Sequence, residues 1–493
     1  MSNLTLNRFR RKVWRWCGLL VATILLVVVS RTPAVAATAK HYTELTFPPL
    51  SEIQIPEYTR YQLDNGIVVY LMEDHELPLV SGTAMIRTGD RLEPPDQVGL
   101  ANITGEVIRT GGTTEHSPDE LNQLLEQRAA SVETGISTSS GSASFNALSE
   151  DVDMVFDLFA EVIQKPAFAE DKLELAKKQQ AGQIARRNDD PKDIASREFT
   201  KLIYGDQSPY ARTIEYETLA NISRDDVVEF YQNYFHPERM ILGIVGDFDS
   251  DEMRSRIQEK FGTWNLSSPP PEITVPSASQ AKEEGLFVVN QAQLTQSYVY
   301  LGHIGGEFDN PDYPALDVMN QILNGFGGRL FNEVRSRQGL AYSVYGFWSP
   351  RHDYPGMFVA GGQTRSEATV SLIQAIRSEI EKIRTTPVTP EELESAKDQV
   401  LNSFVFNFQD PSQTLSRLMR YEYYGYPEDF LFRYQQKVKE TTIEDVQRVA
   451  QKYLQPNQLV TLVVGNTDAI QPPLTSLSNN VTSLDITIPE QSS

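Results

Sequence analysis

An internal repeat is the strongest constraint on how this chain can fold. The two copies share a helix-start signal, a Tyr-x-x-Pro turn and an apolar run, in that order. They are Ser223-x-x-Asp226, Tyr234-x-x-Pro237 and Met240–Val245 in the first copy, and Thr442-x-x-Asp445, Tyr453-x-x-Pro456 and Leu459–Val464 in the second. Tyr453 lies 219 residues after Tyr234, a period that is too long for a solenoid and fits a duplicated domain. Each copy predicts a helix, a turn and a buried strand.

A Pro/Ser-rich segment separates the two copies. It contains Pro269-Pro270-Pro271 and can form neither a helix nor a central strand. We therefore predict a first domain at 57–265, a linker at 266–282, a second domain at 283–472 and a flexible tail at 473–493. Alternating strand patterns and helical segments in both halves predict an α+β fold. It would contain two homologous domains, each a mainly antiparallel sheet with helices packed on one face.

The first 36 residues are predicted to be a signal peptide. A basic cluster at 8–15 precedes an uncharged apolar run from Trp16 to Val29, and Ala34-Val35-Ala36 supplies small residues for cleavage. The run has 14 residues, whereas a membrane-spanning helix needs about 20. We therefore expect an exported protein, periplasmic, lumenal or secreted, with no membrane span in the mature chain. An uncleaved anchor is the alternative.

Charge and cysteine content exclude several classes of function. The 493 residues carry a formal net charge of −22, which argues against a nucleic-acid partner. The single cysteine, Cys17, lies within the predicted signal peptide. The mature chain would therefore have no disulfide, no cysteine-based metal site and no cysteine nucleophile.

Motifs in both halves resemble those of the pitrilysin/insulinase family of zinc peptidases. They are Tyr204-Gly205-Asp206, Ser208-Pro209-Tyr210, His236-Pro237 and Val245-Gly246-Asp247 in the first half, and Asn324-Gly325-x-Gly327-Gly328-Arg329-Leu330-Phe331-x-Glu333-x-Arg335 with Gly339–Val344 in the second. The resemblance covers nearly the whole mature chain. It implies two similar α+β domains and a peptide-holding chamber, which in this family is often completed by a second such chain.

The zinc motif of that family, His-x-x-Glu-His on the first helix of the first domain, is absent. In the motif, two His at i and i+4 bind one zinc ion, and the Glu takes a proton from the bound water. At the matching positions this chain has Asn102, Gly105 and Glu106. A carboxamide is a poor zinc ligand, and glycine cannot transfer a proton. A register shifted by one residue places Glu106 at the base position, but the ligand positions would then hold Ile103 and Val107.

The family's third zinc ligand, a Glu on a later helix, also lacks a counterpart. Gln183 or Gly182 takes its place. The histidines are too far apart in sequence for two of them to share a helix turn; they are His41, His75, His116, His236, His303 and His352. We interpret His116 as a solvated loop residue and His236 as part of a turn. We therefore predict no cofactor on this chain and expect zinc on a partner chain, with a zinc site of other composition as the alternative.

A second constellation of the family is intact. Arg335 and Tyr342, seven residues apart with Gly339-Leu340-Ala341 between them, match its Arg/Tyr pair. The resemblance implies that the two side chains hydrogen-bond carbonyl oxygens of the substrate and stabilise the charge that develops during attack. We predict them as the catalytic contribution of this chain. The alternative is a solvated helix arginine and a packed strand tyrosine, and Arg337 and Tyr345 are the nearest competing residues.

The segment 131–148 resembles the edge hairpin on which substrates of the family lie as an added strand. Such pairing involves backbone groups, so it favours extended peptides with loose sequence preference. The small polar residues of this segment are equally typical of an ordinary exposed hairpin.

These features lead to one main hypothesis and two alternatives. The main hypothesis is an exported, non-zinc subunit of a pitrilysin-like peptidase, inactive alone, that binds extended peptides and supplies Arg335 and Tyr342 to a zinc-bearing homologous partner in a heterodimer. The first alternative is a peptide-binding or structural module without a catalytic role. The second is an autonomous zinc metallopeptidase with unusual ligands.

Overall fold

Two six-stranded sheets, one from each half of the chain, form the framework of the described residues. The computed structural model describes residues 55–265, 269–325, 327–408 and 410–490. The predicted signal peptide at 1–36 lies outside these ranges. None of the helices within them combines the length and apolarity that a membrane crossing requires.

The first sheet has the order β1-β2-β6-β3-β5-β4, and all its neighbouring strands are antiparallel except β2 and β6. Its strands are β1 Thr59–Gln62, β2 Val68–Glu73, β3 Leu79–Ile86, β4 Ser131–Ile136, β5 Gly141–Leu148 and β6 Met240–Gly246. The helices of this half are α1 Leu100–Thr110, α2 Pro118–Glu126, α3 Val152–Gln164, α4 Glu170–Arg186, α5 Pro191–Tyr204, α6 Tyr216–Ala220, α7 Arg224–Tyr234 and α8 Ser250–Phe261.

The second sheet has the order β12-β7-β11-β8-β10-β9, with β7 parallel to both β11 and β12. Its strands are β7 Gly285–Asn290, β8 Gln296–Ile304, β9 Ala341–Ser349, β10 Met357–Arg365, β11 Val460–Gly465 and β12 Val481–Ser483. The helices of this half are α9 Tyr313–Asn324, a π-helix Phe331–Arg337, α10 Thr369–Thr385, α11 Pro390–Val405, α12 Pro411–Tyr424, α13 Phe430–Glu440 and α14 Ile443–Tyr453. The predicted α+β class, with one mainly antiparallel sheet in each half, is therefore confirmed.

The repeated sequence unit forms the same structure in both halves. Ser223 and Thr442 cap α7 and α14 with reciprocal hydrogen bonds to the aspartate three residues later. The strand that follows, β6 or β11, is buried along its whole length and lies inside its sheet. The predicted helix, turn and buried strand are thus confirmed in both copies. The linker at 266–282 and the domain limits stay a prediction. The described residues of the linker, 269–282, form neither helix nor strand.

One helix from each half packs on the sheet of the other half. Most helices of the first half pack on one face of the first sheet, while α12 covers its other face with Leu415, Met419 and Tyr423. Reciprocally, α5 covers the second sheet with Ile194 and Phe199. Both exchanged helices begin at an Asp-Pro pair whose aspartate accepts a backbone N–H bond. The central strands of each sheet are therefore buried on both faces, and the prediction that helices pack on one face only is wrong.

Polar contacts fix the exchanged helix α12 on the first sheet. Glu422 accepts two hydrogen bonds from Arg60, at 3.0 and 2.8 Å, and one from the Tyr70 hydroxyl at 2.9 Å. Gly243 of β6 lies directly under the helix, and a Cβ at this position would come within 2.2 Å of the Met419 Sδ atom. The helix can approach the sheet this closely because the strand has no side chain there.

The expected flexible tail at 473–493 is corrected by the structure over its described part, 473–490. Strand β12 extends the second sheet beside β7, and the Leu484 N–H donates to the Val288 carbonyl at 2.8 Å. Leu484 and Ile486 pack against the apolar cluster around α5, and Asn188 donates to the Ile486 carbonyl at 2.7 Å. Composition suggested flexibility, but apolar residues at every second position allow the segment to pair as a strand.

A prediction concerns this C-terminal segment. The double variant Leu484→Ser/Ile486→Ser should lower the free energy of unfolding by about 1–3 kcal/mol, because two partly buried apolar side chains lose their contacts. Urea unfolding followed by circular dichroism measures the change. Thr482→Ser, at an exposed position of the same strand, is the matched control. Equal stability of the double variant and the wild type would contradict the packed segment and restore the flexible tail.

A second prediction concerns acid stability. Asp312, before α9, receives hydrogen bonds from Lys452 (2.9 Å), Arg448 (2.8 Å) and Tyr453 (2.8 Å). Burial alone would raise the pKa of Asp312, but these bonds outweigh it and lower the pKa to about 2. A pKa lowered by folding stabilises the native state above the unfolded pKa, and this stability is lost as the pH falls from about 4 to about 2.

Asp312→Asn should therefore be less stable than wild type at pH 7, and the difference should shrink between about pH 4 and pH 2. Unfolding midpoints in urea at a series of pH values test this. Asp429→Asn, which removes an exposed carboxylate paired with Arg433 in α13, should have a smaller effect throughout. A difference that is constant with pH would contradict the role of the Asp312 charge.

Candidate functional site

Helix α1 carries the positions of the missing zinc motif, and a buried glutamate holds its start. Glu93 accepts hydrogen bonds from the Gly99 N–H at 3.0 Å and the Ala101 N–H at 2.9 Å. Burial raises the pKa of Glu93 to about 7, although both backbone bonds favour its ionised form. A carboxylate at a helix N-terminus also interacts favourably with the helix dipole. The helix is thus well anchored although its catalytic residues are absent.

Asn102, at the position of the first zinc-ligating His, is engaged in a structural contact. Its side-chain oxygen accepts a hydrogen bond at 2.8 Å from Gln180 of α4, which is buried. Gln183, the residue singled out from the sequence, is exposed on the same helix. The sequence analysis did not single out Gln180. This residue shares the buried face of α4 with Leu173, Ala176 and Ile184, so the apolar periodicity of the helix could have placed it there.

Gly105, at the position of the catalytic base, lies directly against strand β4. A Cβ at Gly105 would come within 2.5 Å of the Ile136 backbone nitrogen and 2.8 Å of the Gly135 carbonyl carbon. The Gly105 carbonyl accepts a hydrogen bond from the Thr134 hydroxyl at 2.6 Å. Helix and strand are therefore in contact where a glutamate side chain would have to lie.

These positions do not fit a zinc ion. Asn102 offers a carboxamide oxygen that is already hydrogen-bonded, Gly105 offers no side chain, and Glu106 leaves one carboxylate, whose pKa burial raises. Zinc sites in proteins need three or four nitrogen, sulfur or carboxylate ligands. Within the described ranges, no group of three or more His, Cys, Asp or Glu side chains is placed to hold a metal ion.

The Arg/Tyr pair predicted from the sequence is brought together in the second half. Arg335 lies on the π-helix and Tyr342 near the start of β9, and the guanidinium carbon is 4.9 Å from the centre of the Tyr342 ring. The same guanidinium carbon lies 4.8 Å from the centre of the Phe331 ring. Both Arg335 and Tyr342 are exposed, and Tyr342 retains 82% of its accessible surface. The pair is thus assembled and accessible to a ligand.

The competing residues have other contacts. Arg337 forms an ion pair with Glu333, which also accepts a hydrogen bond from Gln338 at 2.9 Å. Tyr345 packs against Tyr300 with ring centres 6.2 Å apart, and burial raises the pKa of its hydroxyl. These contacts distinguish Arg335 and Tyr342 from their neighbours. The sequence analysis quoted Phe331 within the motif but assigned it no role. Its i, i+4 spacing to Arg335 was the available signal that the two side chains are in contact.

The hairpin at 131–148 consists of β4 and β5, and β4 is the edge strand of the first sheet. Part of this edge is engaged by α1, because the Arg109 side chain donates to the Val132 carbonyl at 2.8 Å. The predicted edge position is confirmed, whereas binding of a peptide there stays a prediction.

The two histidines interpreted from the sequence differ in outcome. His236 is buried and donates a ring N–H to the Gln232 carbonyl at 2.8 Å, in agreement with a structural role, and burial lowers its pKa. His116 lies in a loop with 33% of its side-chain surface exposed, and its ring nitrogen lies 2.9 Å from a carboxylate oxygen of Glu161, a contact that the sequence analysis did not include. The sequence could not show this because Glu161 lies on α3, 45 residues away.

Family models match both halves of the chain. The model of the insulinase family, peptidase family M16, matches residues 68–215, and the model of the peptidase M16 inactive domain matches residues 221–400. The chain belongs to peptidase family M16. The predicted family is therefore confirmed.

Individual relatives agree with this assignment. The chain is 25% identical over 360 residues to an uncharacterized zinc protease, YmxG, of Bacillus subtilis, covering 73% of this chain and 86% of that protein. It is 24% identical over 422 residues to a non-peptidase homolog, YmxG, of Helicobacter pylori, and the match covers 84% of this chain and 95% of that protein. Among solved structures, a peptidase M16 inactive domain from Pseudomonas fluorescens superimposes with a TM-score of 0.76 at 24% identity, covering 85% of this chain and all of that one.

The contact between α1 and β4 generates a prediction. Gly105→Ala should destabilise the protein by about 1–3 kcal/mol, because the added methyl group overlaps backbone atoms of β4. Gly182→Ala is the matched control, since Gly182 lies in α4 and, apart from the surrounding backbone of its own helix, nothing lies within 4 Å of an added Cβ. That variant should be unchanged or up to about 1 kcal/mol more stable. Thermal unfolding of both variants measures the change in stability. An unfolding midpoint of Gly105→Ala equal to that of the wild type would show that there is room for a side chain at this position.

Proposed function

We propose that this chain is an exported M16 subunit that lacks zinc catalysis, binds extended peptides and supplies Arg335 and Tyr342 to a zinc-bearing homologous partner. The observation that carries the proposal is the contrast between the two halves. The first half has no zinc donor set at the motif positions, whereas the second half presents the Arg335–Tyr342 pair stacked and exposed. The non-peptidase homolog of Helicobacter pylori supports inactivity of the isolated chain.

The chemistry of the pair supports a role at a peptide carbonyl group. A guanidinium presents several N–H donors in a fixed plane, and a phenol adds one O–H donor. Stacking restricts the Arg335 side chain, so less conformational freedom is lost when it binds an oxygen. Donors placed where negative charge develops stabilise the transition state of acyl transfer, and removing one such donor costs about 10²–10³-fold in rate.

The proposal requires a second chain, because the residues at the motif positions of this one cannot activate water. A zinc-bearing homologue would supply the metal-bound nucleophile, and this chain would contribute its half of the peptide-holding chamber. Export is part of the proposal and is supported by the basic, apolar and small-residue segments at 1–36.

Reconstitution with a partner tests the proposal. The purified chain should contain no stoichiometric zinc and should not hydrolyse a quenched fluorescent peptide, whereas a mixture with the zinc-bearing homologue should. Arg335→Ala or Tyr342→Phe in this chain should lower kcat of the mixture by about 10²–10³-fold. Arg337→Ala, two residues from Arg335 in an exposed position, is the matched control and should leave the rate close to that of the wild type.

Each other outcome points to a different function. Full activity of mixtures that contain the Arg335 and Tyr342 variants would reject a catalytic contribution and favour a peptide-binding or structural module. Zinc bound by the isolated chain together with peptide hydrolysis would establish an autonomous peptidase. Size-exclusion chromatography with light scattering shows whether the two chains associate.

A further inference from the structure

A pocket of about 400 Å³ opens along the first turns of helix α12 and does not include the Arg335–Tyr342 pair. Two arginines of the helix border it, Arg417 and Arg420, which are three residues apart and therefore share one face. The described residues of its wall include no aspartate or glutamate. Because the whole chain has 66 acidic and 44 basic residues, a pocket with two cations and no carboxylate departs from the average composition.

The two arginines have only neutral partners among the described residues. The Arg417 guanidinium donates to the Asn407 side-chain oxygen at 2.5 Å, and its other polar neighbour is the Tyr421 hydroxyl. The Nε atom of Arg417 is buried without a hydrogen-bond acceptor in this part of the chain. Arg420 is exposed, and its charge acts on Tyr421 and His352. Unused donors on a cation are unfavourable when buried, and an anion that accepts from them stabilises the site.

The electrostatic environment of His352, a third residue of the wall, is also positive. Burial, together with Arg420 and Arg351, lowers the pKa of His352 to about 4. Asp353 has the opposite effect on His352, but its carboxylate is paired with Arg91 at 2.7 Å. His352 is therefore neutral near pH 7, and the positive charge of the pocket comes from its arginines.

Four other carboxylates of neighbouring segments stand outside the wall of this pocket. Asp410 caps α12 and accepts the Ser412 backbone N–H at 2.7 Å. Asp317 borders an adjoining cavity and accepts a hydrogen bond from a tyrosine hydroxyl there. Glu307 and Asp309 belong to the loop between β8 and α9. None of the four acts on Tyr421, the residue that lies one turn from Arg417, so the two guanidinium charges are not compensated there.

The rest of the wall combines hydrogen-bonding groups with aromatic rings. The hydroxyl and amide groups are those of Ser412, Gln413 and Ser416. The rings are those of Phe308, His352 and Tyr421, and the centres of the first two are 4.9 Å apart. Such a wall fits an organic anion better than an inorganic one, because the apolar part of the ligand can pack on the rings while its anionic group binds the arginines.

We propose that this pocket binds the carboxy-terminal residue of a peptide. The terminal carboxylate would accept hydrogen bonds from Arg417 and Arg420, and the side chain of the same residue would pack on the rings. Both groups branch from one Cα atom in a terminal residue, whereas the carboxylate of an aspartate or glutamate stands alone at the end of its side chain. The pocket has room for this residue, since a cavity of about 150 Å³ already accommodates a benzene molecule. The site is separate from the proposed catalytic contribution and goes beyond it.

Binding of small probes to the full mature chain tests the site. N-Acetyl-L-phenylalanine carries the carboxylate and a ring, and N-acetyl-L-phenylalaninamide lacks only the charge. By isothermal titration calorimetry, the acid should bind with a Kd in the millimolar range and the amide about tenfold more weakly, because the amide cannot accept charge-assisted hydrogen bonds. Equal binding of the two compounds would overturn the proposal.

Two peptides distinguish the sources of the carboxylate. One ends in a phenylalanine with a free carboxy terminus and contains no acidic side chain, and the other is carboxy-terminally amidated and contains a single glutamate. The first peptide should bind more tightly. Tighter binding of the second peptide, or tighter binding of inorganic phosphate than of N-acetyl-L-phenylalanine, would overturn the assignment to a peptide terminus.

Variants connect the binding to the pocket. Arg420→Gln should weaken N-acetyl-L-phenylalanine binding about tenfold, and it should fold like the wild type because Arg420 is exposed. Arg433→Gln removes an exposed arginine from the neighbouring helix α13 and is the matched control, which should bind like the wild type.

A third variant tests the rings. Phe308→Leu keeps both arginines and should weaken binding of N-acetyl-L-phenylalanine several-fold while leaving that of acetate unchanged. Unchanged affinity of Arg420→Gln, or an equal effect of Phe308→Leu on both ligands, would overturn the proposal. None of these measurements depends on peptidase activity or on a partner chain, so their failure would leave the proposed function intact.

Discussion

The exchange of helices between the two halves is the interaction on which the rest of the structure depends. Each sheet packs against helices of its own half on one face and against a helix of the other half on the opposite face. This helix is α12 for the first sheet and α5 for the second. The central strands are consequently buried on both faces and read as continuous apolar runs in the sequence. A buried ion pair between Arg91 of the first half and Asp353 of the second, at 2.7 Å, adds a polar contact across the same boundary. The relative position of the halves is therefore set by core packing.

The positions that match the zinc motif are occupied by packing contacts of α1. Gly105 touches the backbone of β4, and Asn102 is hydrogen-bonded to Gln180 of α4. Restoring a glutamate at position 105 would require the helix and the strand to separate, since the overlap involves backbone atoms rather than a mobile side chain. Helix α1 is held by Glu93 at its start and by β4 along its side.

Much of the fold was predictable because its signals are local. The repeated helix cap, turn and apolar run placed α7, β6, α14 and β11, and the spacing of Arg335 and Tyr342 identified a pair that the structure brings together. Two features were not predictable from local patterns. The packing of the C-terminal segment and the partner of Asn102 both depend on contacts between residues far apart in sequence. The exchange of α5 and α12 belongs to the same class, although the Asp-Pro start shared by both helices offered a hint.

Helix exchange also has a consequence for biosynthesis. The apolar outer face of β2 and β6 is covered only by α12, whose first residue, Pro411, lies about 165 residues beyond the end of β6 in the chain. During translation the amino-terminal half therefore emerges with one side of its sheet uncovered, a state in which unpaired apolar surface favours aggregation. Folding to completion must await synthesis of nearly the entire polypeptide.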